Sequence, residues 1–410
     1  MWFLAYGFIA DSLFMDGMVD AVGGKDFAGS LGFLLVSCFI VQTLVGFVGL
    51  AVPIYAANVG ASPLLVGVIG AMGGLTYSFM PLVAGFLSDK FRRKNLLLLA
   101  LFLYGFACAI YLSTQTPSML VPIKVVEWIA VATFWPSAEA LLTELSEQQI
   151  EKNLRKFNLS WGSATIISPV IGGGLISFLG VKTPFALSSA AAFALAFISA
   201  TKIKESPRGG LKPERESSRS EIGGGEARRE SVATAVVSII LFSFIGGVVY
   251  NLFPAQATSL GIPAYEIGLI IFANGFFRLV AFTEAYKIEA KIGRNSVFLA
   301  GALTLAVASG IAAFSSTTSL FAIAFAIFGF GMGILYASSI AQILKSRSHA
   351  RGYAAGIFES FLGVGTFLGS SMGGLASEYY APSAPYVLCL LISLSTALYQ
   401  TTCRFKHNNQ

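Results

Sequence analysis

Charge is what this chain of 410 residues has least of. Only 12% of its residues are Asp, Glu, Lys or Arg, while 55% are hydrophobic, and a soluble domain carries about a quarter charged residues. A soluble globular fold is thereby excluded. Histidine is almost missing: His349 and His407 are the only two. No HExxH, CxxC, GxxxxGK(S/T) or intramembrane aspartate pair occurs, so the expectation is no enzyme, no metal, no cofactor and no nucleotide-driven step. Of four cysteines, Cys38, Cys108 and Cys389 sit inside apolar blocks and Cys403 near the end. Their spacing fits neither metal nor redox chemistry, so they read as packed thiols with no disulfide.

What the chain does have is long apolar blocks. Phe27 to Tyr55 contains no charge, and Pro117 to Leu142 contains only Lys124, Glu127 and Glu139. Roughly 20 apolar residues cross a bilayer as a helix, and backbone groups in lipid must be satisfied within the segment. Twelve such segments can be placed, at 28–55, 65–88, 95–114, 119–143, 156–180, 183–201, 232–260, 265–287, 295–315, 318–344, 352–376 and 383–403. The expected class is an all-α polytopic membrane protein of two six-helix bundles, 28–201 and 232–403, joined by a polar linker at 202–231 and closed by a tail at 404–410. Residues 1–27 are apolar but carry Asp11, Asp16 and Asp20 with no basic start; they read as an interfacial segment or as a consequence of start-codon choice, not as a signal peptide.

The net charge of +6 points to topology and not to nucleic acid. With the start of the first segment placed in the cytoplasm, 23 of the 27 basic residues fall in cytoplasmic segments and Lys182 is the one in an outward loop. Both termini are expected inside, in the cell membrane.

The chain also repeats itself. A shift of 201 residues places Gly46 on Gly247, Pro53 on Pro254, Gly60 on Gly261 and Gly67 on Gly268. It places Lys90 on Lys291, Arg93 on Arg294, Ser137 on Ser338, Phe157 on Phe358, and Gly162, Thr165, Gly172, Gly173 and Pro184 on Gly363, Thr366, Gly373, Gly374 and Pro385. Six segments per half make the copies parallel, the arrangement of transporters that rock two bundles about a site at the membrane midplane.

Between the second and third segments stands GFLSDKFRRK, Gly85 to Lys94. It resembles the major facilitator superfamily signature Gly-x-Leu-(Ala/Ser)-Asp-(Arg/Lys)-x-Gly-Arg-(Arg/Lys). Arg92 replaces the usual glycine, which puts the tight turn in question. The second copy, YKIEAKIGRN, keeps Lys291, Gly293 and Arg294 but has Ala290 in place of the aspartate. The resemblance implies alternating access by two bundles and a gating latch made of Gly85, Asp89, Lys90 and Arg93, with Glu139 or Glu144 as partners. Gly85 would permit close helix contact. In the fifth segment GSATIISPVIGGG resembles the family's Gly-Pro-x-x-Gly-Gly motif through Pro169, Gly172 and Gly173, with Ser168 at a glycine position; with Gly162 these residues read equally as close packing. Glu205 to Arg208 resembles a sugar-porter signature, but the tail lacks that branch's acidic sequence, and the match is discounted.

Ionisable residues at membrane depth are costly and usually functional. Glu359 and Arg278 lie at similar depth in the eleventh and eighth segments and are expected to interact, either as a proton switch or as a static ion pair. Glu127 is the second proton-coupling candidate, with Lys124 on the same helix face and expected to snorkel outward. Polar and aromatic residues near mid-depth form the substrate-binding pool: Gln42, Trp135, Asn158, Trp161, Tyr250, Asn251, Asn274 and Tyr336. The leading expectation is a monomeric transporter exporting amphipathic compounds in exchange for protons. Uptake of a sugar or organic solute is the alternative, and a non-transporting sensor or a lipid scramblase on the same fold is the reading from another class. The partners expected are a small-molecule substrate, protons and the lipid bilayer.

Overall fold

The computed structural model describes residues 26–145, 150–203, 226–346 and 351–408. The segment before residue 26 and linker residues 204–225 lie outside the described residues. Twelve long helices follow one another: α1 (Asp26–Asn58), α2 (Pro63–Lys90), α3 (Arg93–Ser113), α4 (Leu120–Leu145), α5 (Ile150–Leu179) and α6 (Thr183–Lys202). In the second half, α7 runs Glu226–Gly247, passes through a π turn at Val248–Leu252 and ends as Phe253–Ser259. Then come α8 (Ala264–Ile292), α9 (Arg294–Ala313), α10 (Thr318–Ser346), α11 (Arg351–Tyr379) and α12 (Ala384–Asn408). Among the described residues there is no strand, and eleven of these helices are long and apolar enough to cross a membrane. The exception is α11, which carries Glu359 and Glu378 and many Gly and Ser residues.

Local sequence explains the helix ends and the π turn. Ser62 caps α2 by accepting from the Leu65 N–H at 3.3 Å, with Pro63 at the first helical position, where its missing N–H costs nothing. The π turn stops just before Pro254. Proline removes one i→i−4 bond and crowds the carbonyl four residues back, and a wider turn accommodates both. The α8–α9 turn rests on Gly293 at φ +81°. Its equivalent, Arg92, adopts φ −64°, and α2 ends at Lys90, one residue short of the position equivalent to the end of α8, so the first-half turn is altered.

Helix packing repeats with the sequence. In the first half α1 packs on α5 and α6, α2 on α4, and α3 on α4 and α6. In the second half α7 packs on α11 and α12, α8 on α10, and α9 on α10 and α12. Two principal seams join the halves, α2 with α11 and α5 with α8, and the 201 shift converts one into the other. The side bearing the α2–α3 and α4–α5 loops and the linker is called the linker side; the opposite side, bearing the α1–α2 and α7–α8 loops, is the distal side.

At the distal side the two seams match residue for residue. A methyl group on Gly67 would meet the Ser370 carbonyl oxygen at 2.6 Å, and one on Gly268 would collide with the Pro169 carbonyl oxygen. A methyl group on Gly374 would meet Gly67 Cα at 2.7 Å, and one on Gly173 the Ala264 carbonyl oxygen at 2.5 Å. The Leu64 N–H donates to Glu378 Oε2 at 3.1 Å, and its equivalent, the Tyr265 N–H, donates to Ser177 Oγ at 2.9 Å. Lipid offers no hydrophobic drive between helices, so backbone-to-backbone approach at small residues supplies the packing. Of the glycines kept by the repeat, the pairs Gly67/Gly268 and Gly173/Gly374 are those at which both seams bring the halves into contact.

Candidate functional site

The seams part company toward the linker side. On α2 and α11 the contact continues: a methyl group on Gly74 would meet the Phe367 backbone nitrogen at 2.5 Å, and Leu82 lies 3.0 Å from one on Gly356. Between these levels the Tyr77 hydroxyl donates to Glu359 Oε2 at 2.8 Å, a side-chain bond from one half to the other. On α5 and α8 the equivalent of Gly74, Gly275, has its nearest neighbour, Ile166, at 3.6 Å from an added methyl. Ser78 is 4% exposed, while its equivalent Leu279 is 47% exposed. The structure is therefore closed at the distal side and loosened along α5–α8 on the linker side.

Glu359 and Arg278, expected to interact, do not pair. Glu359 bonds to Tyr77, whereas Arg278 Nη1 donates to the Tyr250 hydroxyl at 3.1 Å and stands over the Tyr250 ring. The reason lies in the seams: α11 is pinned to α2 at this depth, and the π turn rotates Tyr250 toward α8. Tyr250 in turn donates to Asn274 Oδ1, and Asn274 Nδ2 donates to the Phe325 carbonyl at 3.1 Å. Tyr336 lies within electrostatic reach of both Arg278 and Glu359, its ring 5.3 Å from those of Phe242 and Phe358. Four second-half residues of the substrate pool or its coupling pair, Tyr250, Asn274, Arg278 and Tyr336, thus fall in one region.

In the first half Trp135 packs edge-on to Trp161 at 6.3 Å, and the Trp161 indole N–H donates to Asn158 Oδ1 at 3.2 Å. Asn158 is exposed and Gln42 half-buried on α1. Asn251 looks the other way from Tyr250, donating to Ser370 Oγ at 2.9 Å and lining a small cavity with Gly70, Pro53 and Lys124.

Lys124 does not snorkel outward. It is 3% exposed and donates to both Glu127 oxygens at 3.0 and 3.1 Å, while the Tyr111 hydroxyl adds a bond to Glu127 at 2.8 Å. Glu127 is 1% exposed. A buried carboxylate and ammonium so matched satisfy one another, and Lys124 stays inside because its partner is one helical turn away.

At the signature loop, Arg93 Nη1 donates to the Ala140 carbonyl near the end of α4 at 2.7 Å. Lys90 stands over the Phe86 ring. A methyl on Gly85 would meet nothing within 4 Å, so it is not a close-packing position here; α2 approaches α11 through Gly67, Gly74 and Ser78 instead. The side chains of Asp89 and Glu144 lie outside the described residues. In α5 the glycine motif divides its contacts: Gly172 faces Phe47 of α1, Gly173 and Pro169 face α8, and Gly162 faces open space.

Sequence reasoning missed Tyr77, Tyr111 and Ser370. The repeat carried a signal for the first. Tyr77 is the 201-residue equivalent of Arg278, as Asn158 is of Glu359; Tyr77 meets Glu359 across its seam, whereas Arg278 and Asn158 bond to Tyr250 and Trp161.

A family model described as Major Facilitator Superfamily matches residues 34–283 and 235–406. The chain belongs to the major facilitator superfamily. It is 21% identical to the quinolone resistance protein NorA of Staphylococcus aureus over 368 residues, 88% of this chain and 93% of that one. It is 22% identical to multidrug resistance protein 1 of Bacillus subtilis, covering 90% and 95%. An uncharacterised MFS-type transporter of Methanocaldococcus jannaschii is 20% identical over 88% of this chain and 94% of its own. The crystal structure of a point mutant of the nucleoside transporter NupG shares the fold at a TM-score of 0.75 and 15% identity, covering 90% of this chain and 98% of that one. An inward-facing, unoccupied bacterial homologue of the human lysosomal transporter Spinster shares it at a TM-score of 0.65 and 14% identity, covering 93% and 96%. The chain is a multi-pass membrane protein whose family and fold are those of transporters.

Proposed function

We propose that this transporter exports amphipathic organic compounds in exchange for protons, with residues 28–201 and 232–403 rocking as two bundles and the linker side facing the cytoplasm. The observation that carries the coupling is the Tyr77–Glu359 bond. It joins a titratable carboxyl in one half to a hydroxyl in the other, on the seam that must shift when access alternates. Protonation of Glu359 would exchange a charge-assisted bond for a weaker neutral one, which ties proton binding to the seam. Two drug-resistance relatives covered nearly end to end favour export of amphipathic compounds over uptake of a sugar. The basic residues of the linker-side loops support the orientation.

The test is transport in liposomes containing the full chain, with an imposed pH gradient and a lipophilic fluorescent dye or a quinolone as probe. Wild-type protein is expected to drive the probe against its own gradient, and Glu359→Gln to lose that drive while still binding probe. Undiminished pumping by Glu359→Gln would overturn the coupling. Probe moving only together with protons would replace export by uptake.

A further inference from the structure

Among the described residues, Arg278 is the strongly basic group at mid-depth that the structure leaves without an acidic partner. It stands at the midpoint of α8, between Ala264 and Ile292, and no carboxylate among the described residues lies within ion-pair distance of it. Its expected partner, Glu359, is engaged by Tyr77 in the opposite seam. The contrast with Lys124 is direct: that cation is buried and matched by Glu127. A cation left at membrane depth without an anion is costly, and such residues face the bundle interior and mark substrate pathways.

We propose that Arg278 binds the anionic group of the substrate, a carboxylate or similar planar oxyanion on an aromatic amphiphile, so that the preferred cargo is an organic anion or zwitterion. The guanidinium has five N–H donors in a fixed fork, and one bond to Tyr250 occupies part of it. Tyr250 is held as the acceptor of that bond because its own hydrogen goes to Asn274, so the fork is aimed before the ligand arrives. The remaining N–H groups suit two oxygens of one carboxylate. Access exists at this level, since the adjoining part of the α5–α8 seam is loose, and Tyr336 with Phe242 and Phe358 provides an aromatic wall for the body of the molecule. The assignment rests on the export reading and names its substrate class.

The test is equilibrium binding to the full chain in phosphatidylcholine nanodiscs, with no gradient. The probes are dansyl-phenylalanine and dansyl-phenylalanine amide, which differ in the carboxylate alone. Wild-type protein is expected to bind the carboxylate at least about tenfold more tightly, the scale of one charge-assisted bond. Arg278→Gln should bind both probes alike, with Arg278→Lys between them; a thermal unfolding profile checks that each variant is folded. Equal affinities in wild type, or a preference that survives in Arg278→Gln, would overturn the proposal. So would carboxylate binding that fails in phosphatidylcholine while phosphatidylglycerol stabilises the wild type and not Arg278→Gln, because the anion would then be a lipid headgroup. The two readings fail separately: pumping lost in Glu359→Gln with an intact carboxylate preference leaves Arg278 as the anion site, and wild-type protein that pumps but shows no carboxylate preference refutes only the anion site.

Discussion

The α2–α11 and α5–α8 seams are copies of one design put to different uses. At the distal side both are closed by glycines facing carbonyl oxygens and by a helix N-terminus held from the other half, through Glu378 in one seam and Ser177 in the other. At mid-depth the copies have drifted apart. Tyr77 and Glu359 close the first seam with a hydrogen bond; Arg278 and Asn158, at the same positions, each bond elsewhere. Shared glycines thus preserve how the halves meet, and the residues that differ are those proposed to serve coupling in one seam and cargo in the other.

The comparison breaks most visibly at Gly74 and Gly275. An alanine at Gly74 presses on the Phe367 backbone, and overpacking of this kind costs about 1–3 kcal/mol. At Gly275 the nearest atom lies at ordinary contact distance, so alanine there should be neutral or stabilise by up to about 1 kcal/mol through helix propensity. Thermal unfolding of Gly74→Ala and Gly275→Ala checks the opposite signs; equal losses would mean equally tight seams.

Tyr77→Phe comes next. Removing the cross-half hydroxyl should cost about 1 kcal/mol and weaken coupling to the pH gradient without altering the carboxylate preference assigned to Arg278. Arg278→Gln should show the reverse pattern, since Glu359 keeps its partner. The smallest effect is expected at the distal clasps. An anion at a helix N-terminus is worth roughly 0.3–1 kcal/mol, so Glu378→Gln should cost a few tenths and Ser177→Ala a similar amount. A large loss from either would show that the glycine crossings do not hold the distal side by themselves.

Most of this fold was legible in the sequence, because hydrophobic length acts on whole segments. The 201-residue repeat even marked Gly67, Gly173, Gly268 and Gly374 before their contacts were known. Partner choice was not legible. Glu359 and Arg278 stand at equal depth, yet depth says nothing of which way a helix is rotated, and one seam turned Glu359 toward Tyr77. Lys124 was expected at the surface because its side chain is long; its burial follows from its bond to Glu127, which Tyr111 of α3 holds in place, a matter of helix packing between α3 and α4. The π turn that aims Tyr250 and Asn251 in different directions has no counterpart at Pro53, where α1 stays α-helical, so Pro254 alone did not announce it.

The most direct test of the difference between the two seams is a pair of spin-label distances in the reconstituted, ligand-free protein. One pair sits at Val83 and Ile357 across α2–α11, and the other at their equivalents Lys156 and Glu284 across α5–α8. A tight α2–α11 seam predicts a short, narrow distribution for the first pair. A loose α5–α8 seam predicts a longer one for the second, contracting when the linker side closes. Matching distributions for both pairs, unchanged through the transport cycle, would contradict that division of the seams.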